Sequence, residues 1–441
     1  MFRKINSNVI LLIILLISLC FRIYKLNELY NFDWDQEDDA QKVTEMITSH
    51  KPRLIGPRVA NDNGFFVGPF HYYFLVPFYL ITNNNPIAGA YASISIGLIT
   101  TLVIYVVSQK IFGENTARLS ALIYSLLPSI TSWNVMYTAP LSLIIFYLCH
   151  QLISGKNNLF PLLIFTYSFS ATTHLVPVSL FIPIIISLLL ADKKPSSKQI
   201  ILSLILSIIP LIPLIIFDLR HQFLNIKNLI NFISVSKNND YPPYLFLRSY
   251  WRSINLLFIK IHYLIIVERI VIITAALTSV FLQNNKKYKI FIFSWLLTPI
   301  LILSFYRGNI PEYYYGSSNI IIPILLSFLI SKILSAKLLT FFSVAFLTFQ
   351  IINFPSTPTG ITLKDKTEAV SFLINQNRDP IFNVSYDLPL GFDNGYAYLF
   401  RYFGKEPQNT PAGHLYSISL STRPSTGEIV YTNNTLSIVR K

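Results

Sequence analysis

From Val9 to Ile352 the chain is largely a succession of apolar stretches separated by polar junctions, most of them short. A helix crossing the hydrocarbon of a bilayer needs roughly 20 predominantly apolar residues, and this run supplies one such stretch after another. The composition agrees: 52% of the 441 residues are hydrophobic and 13% are charged, against roughly 25% charged in soluble domains. A chain this apolar cannot present its surface to water, so lipid is its solvent. The expected fold is mainly α, a polytopic membrane protein of about 11 transmembrane helices.

The first apolar stretch, VILLIILLISLCF, follows Arg3 and Lys4 and ends at Phe21. No small-residue cleavage site follows. Arg22, Tyr24 and Lys25 read instead as an interfacial anchor for a retained span, with the N-terminus in the cytoplasm. The later spans are expected at 86–108, 116–130, 139–153, 159–173, 175–191, 199–217, 265–282, 289–305, 317–334 and 336–352. Lys110 with Arg118, Lys156, the Lys193–Lys194–Lys198 group, Lys286–Lys287–Lys289 and Lys332 with Lys337 fall in alternate junctions, as the positive-inside rule expects of cytoplasmic turns. The expected location is therefore the cell membrane, multi-pass. Phe65–Ile81 is apolar and aromatic but short and carries two internal prolines, so an interfacial or re-entrant helix is expected there.

Two regions stand apart from the spans. Residues 27–69 form a long polar loop on the outer side, in which Ala40, Val43, Met46 and Ile47 recur at helical spacing and predict a short amphipathic helix over 37–49. The composition shifts again after Asn353. Residues 1–353 therefore read as the membrane domain and 354–441 as a small extracytoplasmic α/β domain. Its expected parts are one helix around Ala369–Ile374, a strand at PIFNVSY, and a hairpin of EIVYT with TLSIVRK around Asn433–Asn434.

The formal charge of +14 follows from cytoplasmic lysines and from attraction to anionic headgroups of membrane lipids. Its basic residues are scattered between apolar segments, which argues against nucleic acid as a partner. Cys20 and Cys149 both lie in apolar stretches, which predicts buried thiols and no disulfide framework.

Against this background the stretch NFDWDQEDD is anomalous. Asp33, Asp35, Glu37, Asp38 and Asp39 fall within seven positions in a chain holding only 21 acids. Helix capping and the helix dipole account for one or two of them. Carboxylates this close raise one another's pKa, and one so placed can act as a general base towards a hydroxyl. A bound divalent cation, Mg²⁺ or Mn²⁺, is the other use for clustered oxygen ligands. On the same outer side lie Arg220, His221, Arg248, Arg252, Lys260 and Arg307, cations that topology alone would remove. As a set they suit an anionic headgroup, although each singly can be an interfacial anchor. His71, His174, His221 and His262 lack metal-ligand spacing and read as satisfied polar residues. There is no glycine-rich phosphate loop, nucleophile elbow or HExxH.

The order of one retained span, an outer loop with WDQEDDAQKVTEMI, then GPFHYYFLVPFYLI, resembles the GT-C superfamily of integral membrane glycosyltransferases. Within it the pattern is similar to the dolichyl-phosphate-mannose–protein mannosyltransferases and the bacterial aminoarabinose transferases. PLIIFDLRHQFLN and RYFG also look like bacterial members. The resemblance implies a polyprenyl-phosphate-linked sugar donor, a glycan, lipid or protein acceptor, inversion at the anomeric carbon, and a first-loop aspartate acting on the acceptor hydroxyl. Many relatives read Asp-Glu where this chain reads Asp35-Gln36, with Asp38-Asp39 three residues on. The catalytic candidates are therefore Asp35, then Asp39, then Asp33. Candidates for substrate binding are Glu37, Asp38, Arg58, His71, Tyr72, Arg220, His221, Arg248, Arg252 and Arg307. A transporter or flippase is the alternative, but that would place ionisable residues inside the spans and show matching halves, whereas here charges are almost absent within the spans and the halves do not match. A non-catalytic envelope scaffold would need neither the acid cluster nor the outer cations.

Overall fold

The computed structural model describes residues 6–59, 64–127, 132–236, 242, 244–257, 261–306, 308–355, 357–358, 360–376, 381–408, 410 and 413–441. Among them, six helices are long and apolar enough to cross a membrane: Ala88–Phe112, Asn134–Ile153, Ser197–Arg220, His262–Phe281, Lys286–Ser304 and Ala336–Asn353. A seventh crossing is available if Glu312–Asn319 and Ile322–Ile333, bent by 47°, act as one span. Ser7–Ile23, Phe70–Ile81 and Val176–Leu190 are apolar but shorter. Every apolar stretch expected to span carries helix, yet several are cut short. Residues 116–130 yield the helix Glu114–Ser125, and 175–191 opens as a 3-10 turn, Val176–Leu180, before continuing as Phe181–Leu190. Pro177 lies in that turn, where a missing N–H does least harm to the ladder.

Burial separates central helices from lipid-facing ones. Ala88–Phe112 packs through Gly89, Ala90, Ala92, Ser93 and Gly97, small residues that let helix backbones approach closely. Phe146, Phe291, Trp295 and Leu325 fill the middle of the bundle. By contrast only 11% of the apolar window of Ser197–Arg220, and of Ala336–Asn353, is buried, and Leu204, Ile205, Phe341 and Val344 point outward. Arg22 departs from the sequence expectation. It is no interfacial anchor but 1% exposed. Its guanidinium donates to the Ser18 and Ser125 carbonyls and lies over the Tyr124 ring, and only the missing side chain of Gly97 leaves room for it.

The lysine-bearing junctions meet at one end of the bundle. Arg118 bonds Glu114 and reaches Ser7 near the N-terminus, and Thr116 bonds Ser331. Lys287 pairs with Asp192, Ser154 with Tyr288, and Asn157 with the Lys194 carbonyl.

The first loop and the tail meet each other elsewhere. In the loop, β1 (Arg58–Val59) and β2 (Phe65–Phe66) form a small antiparallel pair. In the tail, β3 (Phe382–Asp387), β4 (His414–Leu420), β5 (Glu428–Thr432) and β6 (Leu436–Arg440) make one sheet in the order β3-β4-β6-β5. The β3–β4 pair is parallel and the others antiparallel, so the β5–β6 hairpin forms where the Asn433–Asn434 turn predicts it. Helix Leu363–Gln376 covers the sheet. Its Val370 and Leu373 share one core with Phe382, Leu399 and Ile438, and also with Tyr30, Phe32 and Val43 of the first loop. The backbone joins too: Asn31 bridges Thr362, and the Leu363 N–H donates to the Tyr30 carbonyl at 2.8 Å. The change of composition at Asn353 therefore does not mark a break in packing.

Candidate active site

The acidic stretch opens the helix Trp34–Ser49, which starts three residues before the helix expected from its apolar spacing. Asp33 is the N-cap. Its N–H donates to Gln36 Oε1 at 3.1 Å, and Gln36 Nε2 donates to the Ser132 carbonyl at 2.7 Å. This fixes the first turn, and each acid then has its own surroundings.

Asp33 accepts from Lys366 Nζ at 2.8 Å. The same ammonium donates to the carbonyls of Phe32 at 2.7 Å and Asn394 at 2.8 Å, filling all three of its donors. Lys366 is wholly buried, and burial pulls its pKa down against the opposing charge of Asp33. Glu37 accepts from the N–H groups of Gly395 at 2.7 Å and Tyr398 at 2.8 Å, capping the helix Tyr396–Tyr402. A carboxylate there also meets the positive end of that helix dipole. Gly395 adopts φ +91°, and a Cβ would strike the Phe32 carbonyl. Asp38 pairs with Lys42 one turn on. Asp39 is 4% exposed and its Oδ2 lies 2.7 Å from His71 Nε2; His71 Nδ1 lies 2.9 Å from the Tyr137 hydroxyl.

Asp35 alone is left open: among the described residues it makes no hydrogen bond or ion pair, and it is exposed to solvent. Protein nevertheless rings it, as it would a group at the floor of a cleft. Desolvation first, then the charges of Asp39 and Asp38, push its pKa up to about 6. Tyr313 faces it from a later segment. Burial, and then the charge of Asp35, lift that phenol above its ordinary range. Tyr313 packs edge-on against Trp133, with ring centroids 4.6 Å apart, and against His174 and Tyr314. From Tyr314 an apolar groove of about 370 Å³ runs between Leu175, Val178, Phe232, Ile302 and Phe305.

The expected cations divide. Arg252 pairs with Glu312 at 3.8 Å, which brings it to the residue before Tyr313. Arg248 lies exposed one turn earlier on the same helix, Leu245–Ser253. Arg58 lies over the Phe66 ring and reaches the Gly64 carbonyl at 3.4 Å. Arg220 is exposed, and His221 stacks on Phe217 and bonds its carbonyl; among the described residues no contact brings either to the acidic cluster. Arg307 and Lys260 lie outside the described residues. Tyr72 is buried beside His71, with the Arg53 guanidinium 5.6 Å from its ring. Glu37 and Asp38, expected as substrate ligands, are held instead by a helix end and by Lys42. Sequence reasoning missed Lys366, Tyr137, Trp133, Tyr313 and Arg53. Only Tyr313 carried a signal, in the aromatic run YRGNIPEYYYG.

A divalent cation fits this set poorly. Four of the five carboxylates are turned to separate partners, and among the described residues no group of three His, Cys, Asp or Glu side chains converges.

Residues 67–217 match the family model of dolichyl-phosphate-mannose-protein mannosyltransferases. The fold is similar to crystal structures of ArnT from Cupriavidus metallidurans. For the form bound to undecaprenyl phosphate the TM-score is 0.62 at 12% identity, covering 98% of this chain and 97% of that one. For the apo form it is 0.62 at 11% identity, over 97% of each chain. The oligosaccharyltransferase of Archaeoglobus fulgidus, crystallised with Zn and sulfate, matches with a TM-score of 0.53 at 11% identity, over 93% of this chain and 68% of that one. No curated protein sequence matches. The chain is a multi-pass membrane protein whose fold is similar to those of ArnT and of this oligosaccharyltransferase.

Proposed function

We propose that this protein transfers a sugar from a polyprenyl-phosphate-linked donor to an acceptor hydroxyl at the outer face of the cell membrane, with inversion and with Asp35 as general base. The observation that carries the reading is the placing of one open acid beside an aromatic cluster that leads into an apolar groove. A base works best when its pKa lies near the operating pH, and about 6 suits neutral conditions. Asp35 takes the acceptor proton as the hydroxyl attacks the anomeric carbon and the lipid phosphate departs. Arg252 and Arg248 offer positive charge to that leaving group. The groove offers the polyprenyl chain an apolar bed, and Trp133 and Tyr313 offer faces for a sugar ring. ArnT was crystallised with undecaprenyl phosphate, a ligand of the chemistry proposed here.

Sidedness follows the same reading. The Asp33–Lys366 contact holds the first loop and the tail at one face, while the lysine-bearing junctions gather at another end. With positive loops inside, the N-terminus is cytoplasmic and the acids and tail are outside.

The test is Asp35→Asn in purified protein, with radiolabelled donor binding and transfer measured separately. The variant is expected to bind donor and melt as the wild type does while losing about 10²–10⁴-fold in turnover. Undiminished turnover would refute the assignment.

A further inference from the structure

The two neighbours on the acidic helix, Asp35 and Asp39, stand four residues apart and so lie one above the other on the same face. Their environments differ completely. Asp35 is exposed, whereas Asp39, His71 and Tyr137 are 4%, 1% and 3% exposed. A buried carboxylate needs a donor, and here the donor is His71 Nε2 at 2.7 Å. The other ring nitrogen faces the Tyr137 hydroxyl at 2.9 Å. If Tyr137 donates to Nδ1, then Nε2 carries the hydrogen and the imidazole is neutral. If the ring were doubly protonated, the tyrosine proton would need another acceptor, and among the described residues none is present. The geometry therefore has His71 donate to Asp39 through Nε2 and accept from Tyr137 at Nδ1.

We infer that Asp39, His71 and Tyr137 are positioning residues that hold a fixed negative charge one helical turn beneath Asp35 and so decide when Asp35 gives up its proton. This rests on the reading of Asp35 as the base but adds a device that the base alone does not have. The groups that face the pair come from several elements. Asp33 and Asp38 share the helix, Tyr72 and Tyr79 come from Phe70–Ile81, Tyr30 from the preceding segment and Tyr313 from the outer loop. The nearby cations are engaged elsewhere: Lys42 pairs with Asp38, Lys366 with Asp33, and Arg53 pairs with Glu45 and lies over the Tyr72 ring, which leaves His71 as the group bonded to Asp39. The elevated proton affinity of Asp35 agrees, with Asp39 the largest of its charged contributors.

The experiment labels Asp35 with a water-soluble carbodiimide, which reacts with the protonated carboxyl, across pH 4 to 8 in protein reconstituted in nanodiscs. Fragment mass spectrometry assigns the modified residue. Asp39→Asn is expected to lower the labelling midpoint of Asp35 by about one pH unit, a tenfold change in its protonation equilibrium. His71→Leu removes the donor, so the buried Asp39 takes up a proton and the midpoint moves the same way. His71→Gln keeps a donor for Asp39 and an acceptor for Tyr137, and should stay close to the wild type. Equal midpoints in the wild type and Asp39→Asn overturn the inference. If Asp39→Asn does not fold, equal midpoints in His71→Leu and His71→Gln overturn it instead. Labelling needs no sugar donor. A shifted midpoint in a protein that transfers nothing would leave this device standing and sink the enzymatic reading; an unshifted midpoint in an active enzyme would do the reverse.

Discussion

The start of the helix Trp34–Ser49 and the arginines between 220 and 252 are both charged, and they are held in contrasting ways. Four of the five acids have partners inside the chain: a buried lysine, a helix end, a lysine one turn on and a buried histidine. Arg220 and Arg248 lie exposed, and Arg252 has one long ion pair with an exposed glutamate. The acid side is a preorganised frame around a single free carboxylate. The cationic side, beside its apolar groove, keeps its side chains exposed or loosely paired. Catalysis by a positioned base requires the first arrangement, and admission of a flexible lipid donor tolerates the second.

The contrast is most exposed to failure at Lys366. Lys366→Met strands Asp33 and two carbonyls, and should destabilise the protein by about 3 kcal/mol, at the lower end for breaking a buried pair because Asp33 is partly exposed. Thermal unfolding in detergent measures this. A melting curve unchanged by the substitution would mean that the acid side is no more rigid than the other.

Next in size is pH. On the proposed mechanism Asp35 acts as a base only when ionised, and its pKa is raised to about 6. Above that value the rate should be flat. Below it kcat/KM should fall about tenfold per unit, reaching roughly a hundredfold loss at pH 4. A limb near 4 would assign the chemistry to an unperturbed carboxylate.

The groove comes third. Ile302→Asn sets a polar group in the apolar lining and should weaken binding of a long-chain polyprenyl phosphate about tenfold. Transfer from a short-chain donor analogue should be unaffected. Equal losses for both donors would place the lipid elsewhere.

The smallest effect is expected at Arg252. Its ion pair is half exposed, so Arg252→Gln should leave stability within about 1 kcal/mol of the wild type. It should raise the KM for donor only severalfold, and more at low salt than at high. A loss in turnover as large as that of Asp35→Asn would move Arg252 into the frame.

Much of this was legible beforehand. The period and length of the apolar stretches reveal lipid as the solvent, because no other medium tolerates so little charge. The tail hairpin was readable from its turn residues and flanking strands. The acidic stretch announced itself by contrast with its surroundings. Less local features were not readable. Arg22 looks like a membrane-edge anchor until Gly97 and Ser125 are brought against it. Glu37 and Asp38 look like ligands until Gly395, Tyr398 and Lys42 take them.

The sequence by itself determined a membrane-embedded helical chain with a knot of acids after its first span, since hydropathy and charge density are properties of short windows. Which acid stays free was decided only by the tertiary structure. Apart from Lys42, one turn from Asp38, the partners that bind the others lie far along the chain, His71 at 32 residues from Asp39 and Lys366 at 333 from Asp33. A carboxylate's proton affinity depends on charge and burial within a few ångströms, and those neighbours exist only once the chain has folded.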